Sequence, residues 1–253
     1  LTQGSLIVYF SLIQTLEKCA SELARLNIPF GKYHGQLAKP HRRRSQELFL
    51  SGGRNLMLAT PAFGLGIDKA DIRGVVHAEL PGSLEAYYQE IGRAGRDGHP
   101  SRCHVLFDSD DIAVQMEFLK WSHPSAAFIQ SLYQLIEGNL LRVRSEGRDY
   151  LRGQLNFYNR RDFRVETAMN LLERWDVIYW PNHDDSKLEL IDEVPPDYLD
   201  KKVDEARQRA QQKKLLEMVQ FCQLQTCRKV FIYEYFGERG CRPCGNCDIC
   251  QRQ

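Results

Sequence analysis

Over its first 117 residues the chain alternates short apolar runs with stretches of helical periodicity, and few folds accept that pattern. Leu6-Ile7-Val8-Tyr9-Phe10 is β-rich and of strand length. Leu12, Leu16, Cys19, Ala20, Leu23 and Leu26 then recur at helical spacing until Pro29 stops them. Further strands are predicted at Phe30–Tyr33, Leu56–Ala59, Arg73–Ala78 and Cys103–Phe107. A helix through Gln46, Leu48 and Phe49 ends at Gly52-Gly53, and another covers 83–91. Such alternation predicts an α/β fold, a parallel sheet covered on both faces. Ligands of these sheets bind in loops at the carboxyl ends of the strands.

Three of those loops are chemically loaded. The first is Tyr33-His34-Gly35, with Arg42 beyond it. The second runs from Ala59 to Asp68. There Gly64 and Gly66 permit a tight path, and Thr60 offers a hydroxyl and a backbone N–H to a backbone phosphate of nucleic acid. Asp68 suits a ribose hydroxyl, or the orientation of a neighbouring arginine. The third is Gln89 to Gly98, where Arg93 and Arg96 sit three apart among small residues. Helical spacing would put both guanidinium groups on one face. A planar guanidinium is the best side-chain partner for phosphate oxygens. Taken singly, each loop also fits a plain turn, a helix cap or a solvated helix end.

Composition bounds the partners. The 253 residues carry a net charge of +1, so any basic surface must be local. No apolar run approaches the roughly 18–20 residues that span a bilayer, so no membrane role is expected. Leu1-Thr2-Gln3-Gly4-Ser5 has neither an initiator Met nor the pattern of a signal peptide, and the expectation is a piece of a longer protein.

Residues 118–196 read as a separate α+β insertion. Phe128, Leu132, Leu135 and Ile136 suit an amphipathic helix ending at Gly138. Asp162 can cap a second helix carrying Val165, Ala168, Met169 and Leu172. Val177–Trp180 and Leu188–Ile191 read as a β-hairpin, and the order is that of a winged helix. The stretch 141–164 holds seven arginines against three acids, hence +4. Tyr150, Phe157 and Tyr158 are interleaved, which suits phosphate contact and base stacking, with Arg160, Arg161 and Arg164 as the candidates. A solvated basic helix pair with its aromatics in the core, or a winged helix that holds a protein, fits as well.

Residues 197–253 read as a charged helix, a second helix from near Thr226, and a metal site. Cys244, Cys247 and Cys250 form Cys-x-x-Cys-x-x-Cys, a strong metal signal, because thiolates two residues apart reach one tetrahedral ion. The fourth ligand is open. Cys241 would give a local but cramped quartet, whereas Cys227 would staple the preceding helix to the loop. An iron–sulfur cluster or disulfides are the alternatives to zinc.

These motifs carry a resemblance. Ala59–Asp68 and Tyr87–Gly98 resemble motifs V and VI of superfamily-2 helicases, and Ala-Phe-Gly-Leu-Gly-Ile-Asp with Tyr-Tyr-Gln-Glu is similar to the RecQ family. The resemblance covers residues 5 to about 117. It resumes from Thr226 to Cys250, where Cys-Arg-Lys at 227–229, Tyr-Phe-Gly-Glu at 235–238 and Pro-Cys-Gly-Asn-Cys-Asp-Ile-Cys at 243–250 are similar to the family's zinc module. The insertion departs from the family's short bacterial pattern.

The resemblance implies a second RecA-like lobe over 1–117 and a small helical zinc-binding domain over 197–253. By it, Arg96 is the arginine finger and Arg93 its partner. Gly66, Asp68 and Gln89 bind nucleotide or couple it to DNA. Thr60 and Arg42 touch the nucleic-acid backbone, and zinc is held by Cys227, Cys244, Cys247 and Cys250. Neither Gly-x-x-x-x-Gly-Lys-Ser/Thr nor Asp-Glu-x-His occurs. ATP and magnesium are therefore expected mainly on a first RecA-like lobe of the same polypeptide, and the chain alone should not hydrolyse ATP. The expectation is part of an ATP-dependent 3′–5′ DNA helicase, acting at single-strand/duplex junctions in repair or recombination, in the bacterial nucleoid or the nucleus. The rival is an ATP-independent DNA- or partner-binding protein. An RNA helicase is a weaker reading, and the zinc module argues against it.

Overall fold

The computed structural model describes residues 4–64, 67–155 and 162–252. The chain divides into two compact units, Leu1–Gln115 with Lys214–Gln253, and Met116–Lys213.

The first unit holds β1 (Ser5–Tyr9), α1 (Ile13–Arg25), β2 (Gly31–Tyr33), α2 (Lys39–Leu50), β3 (Leu56–Ala59), β4 (Ile72–His77), α3 (Leu84–Ile91) and β5 (Arg102–Val105). All five strands pair in parallel, in the order β2-β3-β1-β4-β5. Successive strand side chains point to opposite faces. Ile7, Tyr9, Met57 and Ala59 accordingly join one core with Phe49, Phe63 and Ile67. Phe10 and Leu58 join another with Leu16 and Ala20 of α1. This is the covered parallel sheet that the alternation predicts. α1 stops before Pro29, because Asn27 takes φ 56°, a left-handed conformation that asparagine tolerates.

α4 (Asp110–Ser122) is absent from the sequence reading. Its one buried residue is Gln115, whose side chain donates to the Leu80 carbonyl and to Ser11 Oγ. Polar burial leaves no apolar stripe to read. The C-terminal part of this unit contains α10 (Arg228–Tyr235) and the cysteine loop. It docks on α3 through Tyr87 against Phe221, Tyr88 against Phe236, and Lys214 to Glu85 at 2.7 Å.

The second unit holds α5 (Ala126–Gly138), α6 (Leu140–Glu146), α7 (Arg148–Leu155), α8 (Arg164–Arg174) and the antiparallel pair β6 (Ile178–Tyr179) and β7 (Glu189–Leu190). Ile129, Leu132, Ile136, Val165, Met169, Leu172 and Trp180 form its core. The two periodic helices and the hairpin stand where the pattern puts them. α6 and α7 fall within the basic stretch, where no helix boundary was legible. Asp162 accepts from the Arg164 N–H at the start of α8. The sequence draws a boundary at 197, whereas α9 (Lys201–Cys222) carries the change of unit at Lys213–Lys214. Among the described residues no helix is long and apolar enough to cross a membrane.

Candidate functional site

β1, β3 and β4 end at Tyr9, Ala59 and His77. The Tyr9 hydroxyl donates to the Phe63 carbonyl at 2.9 Å and so fixes the loop that follows β3. Burial pushes the Tyr9 phenol well above its ordinary range, and Arg93 partly opposes this. The Arg93 guanidinium lies against the same loop. A Cβ on Gly64 would stand 2.8 Å from Arg93 Nη2, so a larger residue there would displace the guanidinium. Behind it the His77 ring stacks on Tyr9, and His77 Nε2 meets Glu90 Oε2 at 2.7 Å. Both His77 and Glu90 are buried.

Arg96 reaches the far end of the loop. Its Nη1 donates to Asp68 Oδ1 at 2.9 Å, and its Nε donates to the Gly92 carbonyl. Of the two roles open to Asp68, orienting an arginine is the one this pair displays.

The helical spacing of the two arginines is corrected by the structure. α3 ends at Ile91, and Gly95 takes φ 67° while its N–H donates to the Ile72 carbonyl at 3.0 Å. A Cβ there would meet Ser101 Oγ at 2.8 Å. The chain therefore turns under Arg93 and Arg96. Both guanidinium groups converge on the loop following β3 because the turn delivers them, not a shared helix face.

The remaining loop residues are placed as follows. Gly66 lies outside the described residues. Gln89 is exposed on α3. Thr60 is buried, and its N–H donates to the Tyr33 carbonyl at 3.0 Å. That N–H is thus committed to the fold and not open to a phosphate, which leaves the hydroxyl. Arg42 is half-buried in the first turn of α2. The buried His34 contacts Glu17, whose carboxyl is held below its ordinary range chiefly by Lys32. Sequence reasoning missed Tyr9, His77 and Glu90. A histidine closing the apolar run Val75-Val76, and a glutamate at an inward helix position, were the available signals.

The metal candidates meet in space. The four sulfurs of Cys227, Cys244, Cys247 and Cys250 lie within 4.8 Å of one another. Zinc–sulfur bonds of roughly 2.3 Å require sulfur–sulfur edges of about 3.8 Å, so small adjustments close the site. Cys227 stands at the start of α10, and Gly245 at φ 71° turns the loop between Cys244 and Cys247. The Cys244 N–H donates to Cys227 Sγ at 3.2 Å, and the Cys247 N–H donates to Cys244 Sγ at 3.3 Å. Burial raises the Cys227 thiol, but the Val230 and Cys244 N–H groups outweigh it and bring it down to about 6. A thiolate so favoured is a ready zinc ligand. Arg228 braces the loop from α10, donating to both Asp248 carboxylate oxygens and to the Phe221 carbonyl. Cys241 is not among the four.

Most arginines of the basic stretch are, among the described residues, compensated within their own unit. Arg142 pairs with Glu146, Arg148 with Asp185, and Arg152 with both Asp149 and Glu166. Arg144 donates to the Leu188 carbonyl. The Arg164 guanidinium binds the buried Asp162 at 2.8 Å and covers the Phe128 ring. Arg160 and Arg161 lie outside the described residues.

Residues 1–98 match the family described as helicase conserved C-terminal domain, and residues 188–251 match RecQ zinc-binding. Three relatives are similar over different spans. The ATP-dependent DNA helicase RecQ of Bacillus subtilis is 43% identical over 51% of this chain and 22% of its own length. The RecQ of Pasteurella multocida is 27% identical over 96% of this chain and 26% of its own. The mouse bifunctional 3′-5′ exonuclease/ATP-dependent helicase WRN is 36% identical over 53% of this chain and 10% of its own. The chain thus spans about a quarter or less of each of these relatives. With a helicase C-terminal domain, a RecQ-type zinc-binding domain and relatives of this kind, the chain belongs to the RecQ family of helicases.

Proposed function

We propose that this chain supplies the second lobe of an ATP-driven DNA helicase that moves 3′ to 5′. The observation that carries this reading is the convergence of Arg93 and Arg96 on the loop after β3. Two guanidinium groups held at the carboxyl end of a parallel sheet can neutralise charge that develops on a γ-phosphate. In phosphoryl-transfer enzymes such an arginine is worth on the order of 10³–10⁵ in turnover. Arg96 is the finger, oriented by Asp68. Arg93 takes the phosphate or coupling role, and Gln89 and Gly66 belong to the same edge.

The β- and γ-phosphates and magnesium would be held by a first lobe of the same polypeptide, so this chain alone should not turn over ATP. Thr60, through its hydroxyl, and Arg42 would hold the tracking strand. Zinc on Cys227, Cys244, Cys247 and Cys250 would fix α10 to the C-terminal loop. The order of helices followed by an antiparallel pair in Met116–Lys213 supports a winged-helix reading of that unit, which would then meet the duplex at a junction. Repair or recombination is the natural use of such a motor.

The test is unwinding by the full-length parent. Duplexes with a 3′ or a 5′ single-stranded tail are supplied with ATP, and this chain is assayed alone beside the parent. ATP-dependent opening of the 3′-tailed duplex by the parent, with none by this chain, is expected. DNA binding without ATP-dependent opening would favour the binding-protein reading.

A further inference from the structure

A second site lies away from the arginine loop, at the open edge of the sheet. β2 is an edge strand, paired among the described residues to β3 alone. Between it and α2 runs a groove of about 360 Å³. His41, Arg44, Ser45 and Leu48 line it at the i, i+3, i+4, i+7 spacing that gathers one helix face. Phe30 and Leu37 complete its apolar floor, and Lys32 and Arg54 stand at its rim. Among the described residues no carboxylate lines it, although acids and bases are nearly equal in the chain as a whole. Lys32 is matched by Glu17. Arg44 and Arg54 are exposed, and among the described residues neither has a carboxylate partner.

We propose that this groove docks an extended acidic polypeptide segment whose groove-facing side chains are both apolar groups and carboxylates. An edge strand accepts a further strand through main-chain hydrogen bonds, and flanking pockets then select its side chains. Alternate residues of the segment would turn to the groove, some pressing Leu- or Phe-sized groups on Phe30, Leu37 and Leu48 and others bringing carboxylates to Arg44 and Arg54, while the intervening residues point away. Single-stranded nucleic acid is the poorer occupant, because its non-specific grooves offer successive aromatic platforms, whereas this floor is mostly aliphatic.

The test uses the full zinc-loaded chain and a fluorescein-labelled decapeptide in which leucine pairs and glutamate pairs take turns, so that each face of the strand carries both, read by anisotropy. Saturable binding that weakens with salt is expected, and weaker binding of the same peptide with glutamine in place of glutamate. Arg44→Glu and Arg54→Glu should each weaken it about tenfold, as loss of a steering and pairing charge does. Arg43→Glu carries the same charge change on α2 outside the lining, where Arg43 pairs with Glu47. It should leave the affinity within about twofold, because Arg43 is already paired with Glu47 and does not line the groove. No saturable binding, or equal loss in Arg43→Glu, overturns the proposal. Loss of affinity for a labelled oligothymidylate in Arg44→Glu, with the peptide unaffected, would overturn it in favour of nucleic acid.

Discussion

Arg96 and Asp68 are 28 residues apart in sequence and 2.9 Å apart in space, with 40% and 87% of their side chains exposed. An exposed pair of this kind contributes about 0–1 kcal/mol to stability. Its value lies in holding a guanidinium in one direction before a ligand arrives. Asp68→Ala should therefore leave the thermal midpoint of this chain unchanged within about a degree or two. In the parent it should reduce ATP turnover about tenfold, less than loss of Arg96 itself. A lowered midpoint with unchanged turnover would assign the pair to the fold.

The His77–Glu90 contact is of the opposite kind, with both residues buried and the His77 ring against Tyr9 and Tyr87. Removing an acceptor from a buried donor costs about 1–3 kcal/mol. Glu90→Ala should cost that much in urea denaturation, and Glu90→Gln about half of it, since the amide still accepts. Equal costs for the two would mean that packing, not the hydrogen bond, decides.

Cys227→Ser should release zinc and unfold the loop that ends at Cys250, because so small a segment buries too little surface to fold on its own. Cys241→Ser should retain one zinc per chain. Metal analysis of the two purified variants decides, and zinc loss in Cys241→Ser would return the fourth ligand to the local quartet.

Arg164 binds a buried carboxylate, so its removal should read as instability. Arg164→Ala is expected to cost about 1–3 kcal/mol by removing the cation beside Asp162. The salt slope of DNA binding should stay the same. A flatter slope at unchanged stability would give Arg164 to the DNA.

Burial pushes the thiols of Cys103 and Cys222 up to about 11 each. A folded pKa above the unfolded one means a contribution present below the ordinary thiol range and lost as pH rises from about 9 toward 11. At pH 8 about one thiol in a thousand would be thiolate. Iodoacetamide at pH 8 should leave both cysteines unmodified by mass spectrometry, and label them at pH 10.5 or in urea. Rapid labelling of either at pH 8 would show an open path to it.

The sheet was legible because its central strands read as continuous apolar runs, Leu56–Ala59 residue for residue, with three of those four residues buried. The loops at 59–68 and 89–98 were legible because each gathers glycines with a phosphate-directed group, Thr60 in one and Arg93 with Arg96 in the other. What could not be read was long-range pairing. No local pattern tells that Thr60 spends its N–H on Tyr33, or that Arg164 turns toward Asp162 and Phe128. Nor does spacing tell that Gly95 ends the helical register between two arginines; only its close approach to Ser101 and His99 does.

Nucleotide turnover by the parent, with single-stranded DNA present, bears most directly on the whole account. Arg96→Ala should lower it by at least about a hundredfold, toward the range of a lost arginine finger, while DNA affinity stays within a few-fold. Near-normal turnover in that variant would contradict the assignment of these guanidinium groups to a phosphate.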